Sequence, residues 1–421
     1  MKNSFDSYGL YSISPVSHYT VRARITMKEN VDIEALTRAV NIATDRYPYF
    51  KVKPEYDDDG GYRLVPNDKP VVVLPTSEST PKLCSREVNE HFLFADCCGR
   101  DIYLNISHAL AGGKGIQPWV QTCVYQYIVE RYGVEPDASS IRKPGSPLLE
   151  GENLEPAEDM FREGFTLNRE RCKGAFATLF DYISGIINPR GHEYFIFSFD
   201  TRDLLSLAKC NDNSVNSLFD VLMFKAMDKV IPARYSKIVA MNACNPCAQF
   251  GLPNSRYNIL THVYIPYDRK MAEWDLEKLG TITRGATALQ SDELCAATEM
   301  IAMMNYCNAI DRQHGIKNKK RYAAKHSLSH GKGSVIGSYI ISYSGYADWG
   351  EVADYIDSFV FICDGHLMLE ISSLGDKIFC AFNQVTGTDK YIRGFEAVLQ
   401  ELGIKYEKKG PFKKNLAEHE L

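Results

Sequence analysis

The stretch Asp101-Ile-Tyr-Leu-Asn-Ile-Ser107-His108-Ala-Leu-Ala-Gly112-Gly113-Lys-Gly115 decides how the rest of the chain is read. An extended apolar run leads straight into a histidine, and a glycine-dense turn follows at once. Val120, Cys123, Val124, Tyr127 and Ile128 then mark one stripe of a helix stopped at Gly133. One imidazole therefore stands at a strand end, beside backbone that can approach a ligand closely. Histidine titrates near neutrality and can take a proton from a hydroxyl or an amine. By residue type alone, His108 reads first as a packed histidine before a helix.

On the N-terminal side, residues 17–27 alternate as a half-buried strand. Ile33, Leu36, Val40 and Ala43 form one helical face, capped by Asp32 or Asn30 and ended by Pro48. Short strands are expected near 61–65 and 70–74, and a helix over 84–92. The segment 133–156 is rich in Pro, Gly and charge, lacks periodicity and reads as a linker. Beyond it, 192–200 alternates as a strand and 214–230 is a helix. Strands follow near 236–242 and 258–265, and 269–312 is helical. Residues 334–343, 358–364, 366–372 and 377–384 read as strands, the last joined by turns at Asp364-Gly365 and Gly375-Asp376, before a helix at 388–402. The expected organisation is an N-terminal lobe over 1–160, a connecting segment over 161–190 and a C-terminal lobe over 191–421. Two mixed α/β lobes of similar build place a site in the crevice between them.

Composition narrows the class. With 45% hydrophobic and 24% charged residues among 421, the chain is of ordinary globular make-up. No apolar run reaches transmembrane length, and the N-terminus does not read as a signal peptide. A net charge of −5 argues against nucleic acid as a partner. The 12 scattered cysteines read as reduced, buried small hydrophobes of a cytoplasmic protein.

The whole pattern resembles the superfamily of condensation domains and chloramphenicol acetyltransferase, closest to its free-standing alcohol acetyltransferase-like members. The family hallmark is His-His-x-x-x-Asp-Gly at a strand end before a helix, and Ser107-His108-Ala-Leu-Ala-Gly112-Gly113 occupies that register. The helix from Val31 through Arg46-Tyr47-Pro48 is similar to the family's first helix. Phe199-Asp200 with Ser214-Val215-Asn216 looks like the start of its second lobe. Ser342-Tyr343-Ser344-Gly345 resembles its Asn-Leu-Gly-type segment, and Asp348-Trp349-Gly350 lies near the place of an Asp-Phe-Gly-Trp-Gly run that is absent. The resemblance implies an α/β fold (α+β) of two chloramphenicol acetyltransferase-like lobes, each a mixed sheet with helices, and a tunnel between them. Ser107 replaces the first motif histidine. Gly112 replaces the aspartate that, in the family, pairs with an arginine to hold the loop, so other contacts must hold it here.

The implied chemistry is direct acyl transfer. His108 would deprotonate a small acceptor, whose hydroxyl or amine attacks an acyl thioester, with acyl-CoA as co-substrate and no tightly bound cofactor. Ser107, Gly112, Gly113, Tyr343 and Ser344 would line the substrate or stabilise the oxyanion. Lys319, Lys320 and Arg321, in a basic cluster with Lys317 and Lys325, could attract the phosphates of coenzyme A or an acidic carrier protein; a solvated helix end explains them as well. Two other readings stay open: a stand-alone condensation enzyme using a carrier-bound thioester, and a non-catalytic binding protein on the same fold. Cys244-Asn-Pro-Cys247 is a single Cys-x-x-Cys with no partner pair and reads as two core or loop thiols. No histidine shows metal-ligand spacing, so no metal is expected. Lys408 to Lys414 reads as a solvated terminus.

Overall fold

The alternation at 17–27 becomes a strand with two unlike faces. The structure is a computed structural model that describes residues 5–15, 17–156, 178, 192–326, 337–365, 367–384 and 388–421. Apart from Thr178, the expected connecting segment 161–190 lies outside the described residues, as do 334–336 and His366 of two expected strands. After helix α1 (Phe5–Ser12), strand β1 (Thr20–Met27) sends Val21, Ala23, Ile25 and Met27 into the N-terminal core. Thr20, Arg22, Arg24 and Thr26 take the other face. Helix α2 (Ile33–Asp45) is capped by Asp32, whose carboxylate accepts from the N–H groups of Glu34 and Ala35 at 2.9 and 3.0 Å. A hairpin of β2 (Val52–Tyr56) and β3 (Tyr62–Pro66) follows, then β4 (Val73–Pro75).

The helix expected over 84–92 does not form. A single 3₁₀ turn at Arg86–Val88 is ended by Asn89 and Glu90, both at positive φ (54° and 67°), a conformation that no helix continues. Strand β5 (Leu93–Cys98) comes next and folds back onto β6 (Asp101–Ser107), which leads into α3 (Gly113–Tyr132). The linker-like segment 133–156 is anchored rather than free. Glu152 is fully buried and bonds Arg46 twice, at 2.6 and 2.9 Å, with Arg142 at 3.2 Å and the Tyr49 hydroxyl also on its carboxylate.

The C-terminal half supplies β7 (Glu193–Asp200), α4 (Thr201–Cys210), α5 (Val215–Val230), β8 (Lys237–Cys244), β9 (Thr261–Asp268), α6 (Leu276–Gln290), α7 (Glu293–Asp311), α8 (Ile316–His326), β10 (Tyr339–Tyr343), β11 (Ile356–Cys363), β12 (Leu367–Leu374), β13 (Lys377–Gln384), α9 (Lys390–Glu401) and β14 (Glu407–Lys413). The helical run 269–312 is broken because Asp275 and Asp292 each cap a new helix. One sheet has the order β11-β1-β6-β5-β4, the other β14-β7-β13-β12-β10-β8-β9. Strand β11 leaves the second sheet, pairs antiparallel with β1, and the chain then returns to β12. The segment before it is anchored on the N-terminal lobe: Gln121 donates to the Asp348 carbonyl at 2.8 Å, and buried Trp349 packs on Phe359.

Helices α5 and α9 cover one face of the larger sheet, where Phe197, Phe199 and Phe382 meet Phe219 and Phe395. On the opposite face Tyr194, Ile196, Leu374, Phe379 and Ala381 join the N-terminal core. Strand alternation puts Ser342, Met368, Glu370 and Asn383 on that same inner face. The tail is an edge strand rather than a free terminus: β14 pairs with β7 while its side chains stay largely exposed, and Lys414, just beyond it, is buried. The chain then clasps the first lobe, the Leu83 N–H donating to Glu418 O at 2.8 Å and the Glu420 N–H to Leu83 O at 2.9 Å. No helix among the described residues is long and apolar enough to cross a membrane.

A buried acid within the second core yields a stability prediction. Asp220 of α5 has no exposure, and its Oδ2 accepts from Asn242 at 2.6 Å. Burial pushes its carboxyl up to about 8. The folded state thus holds a proton that the unfolded chain releases near pH 4, so stability is full below that and falls as pH rises towards 8. Asp220→Asn is expected to melt about 5 °C above the parent at pH 8 and within roughly 2 °C of it at pH 5, as read by scanning calorimetry.

Candidate active site

Strand β6 delivers His108 one residue past its end, at the seam between the lobes. The His108 N–H donates to Tyr19 O at 2.8 Å, which fixes the backbone against the start of β1. The Nδ1 atom lies 2.7 Å from Ala111 O. A carbonyl only accepts, so Nδ1 carries the proton and Nε2 holds the lone pair. Burial pulls the imidazole below its ordinary pKa of about 6.5, outweighing the Ala111 bond and the charge of Asp364, both of which raise it. The ring is therefore a neutral base at pH 7.

The loop that carries it is held without the motif aspartate. Gly112 N–H donates to Arg256 O at 2.9 Å. The Arg256 guanidinium donates to Leu110 O, and through Nε to Asn153 Oδ1 at 2.6 Å. Arg256 N–H in turn donates to Glu152 O at 2.9 Å, which ties the loop to the buried Arg46–Glu152 pair. A Cβ at position 112 would stand 3.1 Å from Asn258 Cα and 3.2 Å from Tyr257 O. At position 115 it would stand 2.7 Å from Arg256 O. Glycine at both positions is what lets segment 256–258 close over the start of α3. Arg256 thus bonds the loop's own carbonyl.

Tyr19 borders the imidazole, its ring centroid 5.4 Å away. Its φ is +56°, a strained conformation for an aromatic residue. Three bonds hold it there: its N–H donates to Asp364 Oδ2 at 2.8 Å, its carbonyl accepts from His108, and its hydroxyl accepts from Asn258 Nδ2 at 3.0 Å. Nearby, burial raises Glu370 to about 7 and lowers Lys414 to about 8.

The other residues singled out from the sequence are dispersed. Ser107 is buried, with His419 Nε2 2.7 Å from its hydroxyl; burial drives His419 down to about 3, so this tail imidazole stays neutral. Gly112 is adjacent to His108's loop, while Gly113 is exposed in the first turn of α3. Tyr343 packs against the C-terminal core, and the Ser344 hydroxyl bonds Ile371 O at 3.3 Å. Lys319 is turned inward to the carbonyls of Ile310 and Asp311, at 3.4 and 2.8 Å. Lys320 reaches Leu421 O at 3.3 Å, and Arg321 is exposed. Arg256, Asn258, Tyr19, Asp364, Glu370 and Lys414 were not anticipated.

No family profile and no curated protein matches this sequence. Solved structures do match. Polyketide synthase associated protein 5 from Mycobacterium tuberculosis superposes with a TM-score of 0.58 at 12% identity, over 97% of each chain. TRI101 of F. graminearum, solved with coenzyme A and T-2 mycotoxin, gives 0.58 at 10% identity over 96% of this chain and 98% of its own. The chain has the two-lobed chloramphenicol acetyltransferase-like fold. TRI3 trichothecene 15-O-acetyltransferase from Fusarium sporotrichioides shares that fold, with a TM-score of 0.58 at 10% identity over 94% of both chains. At these identities the likeness is one of fold, as the Ser107-His108 run and its surroundings led us to expect. In this chain the loop after His108 is held by Arg256 and by the close approach of segment 256–258 to Gly112.

Proposed function

We propose that the protein is an acyltransferase that moves an acyl group from acyl-CoA to the hydroxyl or amine of a small acceptor, with His108 as general base. The observation that carries this reading is the state of His108: neutral, its Nδ1 proton fixed on Ala111 O, its lone pair on Nε2, at the seam of the lobes. The fold shared with TRI3 trichothecene 15-O-acetyltransferase, and with TRI101 solved with coenzyme A, supports it.

In the proposed step, the acceptor oxygen or nitrogen bonds to the thioester carbon as its proton passes to Nε2. The carbonyl π pair moves onto oxygen. Collapse re-forms the carbonyl and breaks the C–S bond, and the departing thiolate takes the proton back from His108. No covalent acyl-enzyme is required. A carrier-bound thioester would undergo the same chemistry, and the donor screen below separates it from free acyl-CoA.

The pH profile tests the base. Because burial lowers the His108 pKa, kcat/KM should rise with pH to a plateau, with the midpoint of its acid limb below 6.5. A limb centred above 7 would contradict the assignment.

A further inference from the structure

We infer that His419, carried on the segment after β14, is a positioning residue for His108: it holds the Ser107 hydroxyl that sets the turn on which the base stands. This role rests on the reading of His108 as general base.

The turn begins at Ser107. Its N–H donates to Phe92 O at 2.8 Å, and its carbonyl accepts from the Leu110 N–H at 3.1 Å, which closes a turn with His108 as its second residue. Its hydroxyl accepts from the Ala109 N–H at 3.3 Å, so the side chain braces the same turn. Ser107 has no exposure, and bulk water does not reach that hydroxyl. His419 Nε2 lies 2.7 Å from it, and among the described residues no other side chain bonds it. A neutral imidazole and a hydroxyl each offer one donor and one acceptor, so the pair bonds whichever ring nitrogen carries the hydrogen.

The path of the tail adds an independent observation. Strand β14 is the edge of the larger sheet, beside β7. From there the chain crosses the polar face of β1 and β6, where Thr20, Arg22 and Arg24 stand opposite Ser107, Asn105 and Tyr103. The Arg24 guanidinium sits 4.1 Å from the centre of the Phe412 ring, and the Thr20 hydroxyl donates to Ala417 O at 2.7 Å. The two backbone bonds to Leu83, from Glu418 and Glu420, flank His419 on either side. The His419 ring is 6.3 Å from that of Phe92, the residue whose carbonyl receives the Ser107 N–H. The strap from the second lobe thus ends in an imidazole gripped by backbone on both sides and bonded to the neighbour of the base. His419 touches no reacting atom and acts through Ser107.

His419→Phe keeps a ring against Phe92 and loses the bond. His419→Gln extends an amide to the place of Nε2 and keeps it. With acetyl-coenzyme A and a pool of short primary alcohols and amines, His419→Phe should lower kcat for thiol release about tenfold, as misplacing a catalytic group does. KM for the donor should stay within about twofold. His419→Gln should restore most of the loss. Ser107→Ala should match His419→Phe, and the two together should cost no more than either alone, because they remove one bond. The turn is also read without turnover. In protein carrying isotope-labelled histidine, the His108 resonance, identified by its loss in His108→Ala, should titrate below 6.5 in the parent. Burial holds it down, so its midpoint should move up in His419→Phe as the loosened turn admits water, and stay in His419→Gln. Asp364, the charged group that acts on the ring, is untouched by these substitutions. Parental kcat in His419→Phe overturns the role, as does an unmoved His108 midpoint, losses that add in the double variant, or a Gln variant no better than the Phe variant. A parent without thioester turnover overturns the acyl-transfer reading, and the midpoint alone then decides whether His419 sets the imidazole.

Discussion

Replacing His108 with alanine lowers kcat for thioester-dependent acylation by about 10³-fold, within the range for a positioned general base. The loss is one of chemistry rather than folding. The backbone bond from residue 108 to Tyr19 O survives the substitution, and Arg256 still holds Leu110 and Gly112. What disappears is the lone pair at Nε2. The acid limb of the pH profile should disappear with it, leaving a slow rate that no longer titrates near the imidazole pKa. KM for the donor should change little, since the imidazole acts on the acceptor proton. Steady-state thiol release across pH 5–9 (roughly the range bracketing an imidazole) reads all of these. A His108→Ala protein that retains parental kcat removes the base from the mechanism.

Replacing Glu152 with alanine destabilises the protein by about 3–5 kcal/mol, the usual cost of leaving a buried charge unpaired. Arg46 and Glu152 have no side-chain exposure, so the bare guanidinium has no water to turn to. The carboxylate also accepts from the Leu149 N–H and the Tyr49 hydroxyl, both of which lose their partner. Burial raises and Arg46 lowers the Glu152 pKa, with the net result below its ordinary value, so the pair is ionised at neutral pH. Removing both charges should cost less: the double substitution Arg46→Met, Glu152→Leu is expected to regain most of the lost stability. Urea denaturation of the parent and the two variants measures it. A loss below about 1 kcal/mol in Glu152→Ala would show that the pair is not the anchor of segment 133–156.

The strand, the histidine, the glycine turn and the helix of 101–132 were legible in the sequence because each is set by neighbours a few residues away. The same holds for α2, where the periodic apolar face and Asp32 cap coincide. The misread elements have specific physical causes. At 84–92, left-handed Asn89 and Glu90 end a turn that composition alone does not mark as broken. At 408–414, the lysines are exposed as their charge suggests, but the backbone pairs with β7 and Lys414 alone is enclosed, which local composition does not mark. Tyr343 packs on the C-terminal core, while neighbouring Ser342 faces inward and bonds Glu370, a difference of one residue that strand alternation sets. Lys319 sits on the inner face of a basic helix, where charge density in the sequence says nothing of direction.

The support of the His108 loop was out of reach for a different reason. Arg256 meets Leu110 across 146 residues of chain, and no local pattern announces that contact. The sequence shows only its counterpart, a glycine at 112 where the resemblance leads to an aspartate. Gly112 looked like a missing aspartate; in the structure it makes room for segment 256–258.

The most direct test is product formation. Purified protein is incubated with a panel of acyl-coenzyme A thioesters and pooled small alcohols and amines, and acylated acceptor is measured by mass alongside free thiol. We predict acylated acceptor in step with thiol release for at least one pair, abolished in His108→Ala. Thiol release without acylated acceptor, or no product from any free acyl-coenzyme A while folded protein binds a small molecule at the lobe seam, would contradict the account.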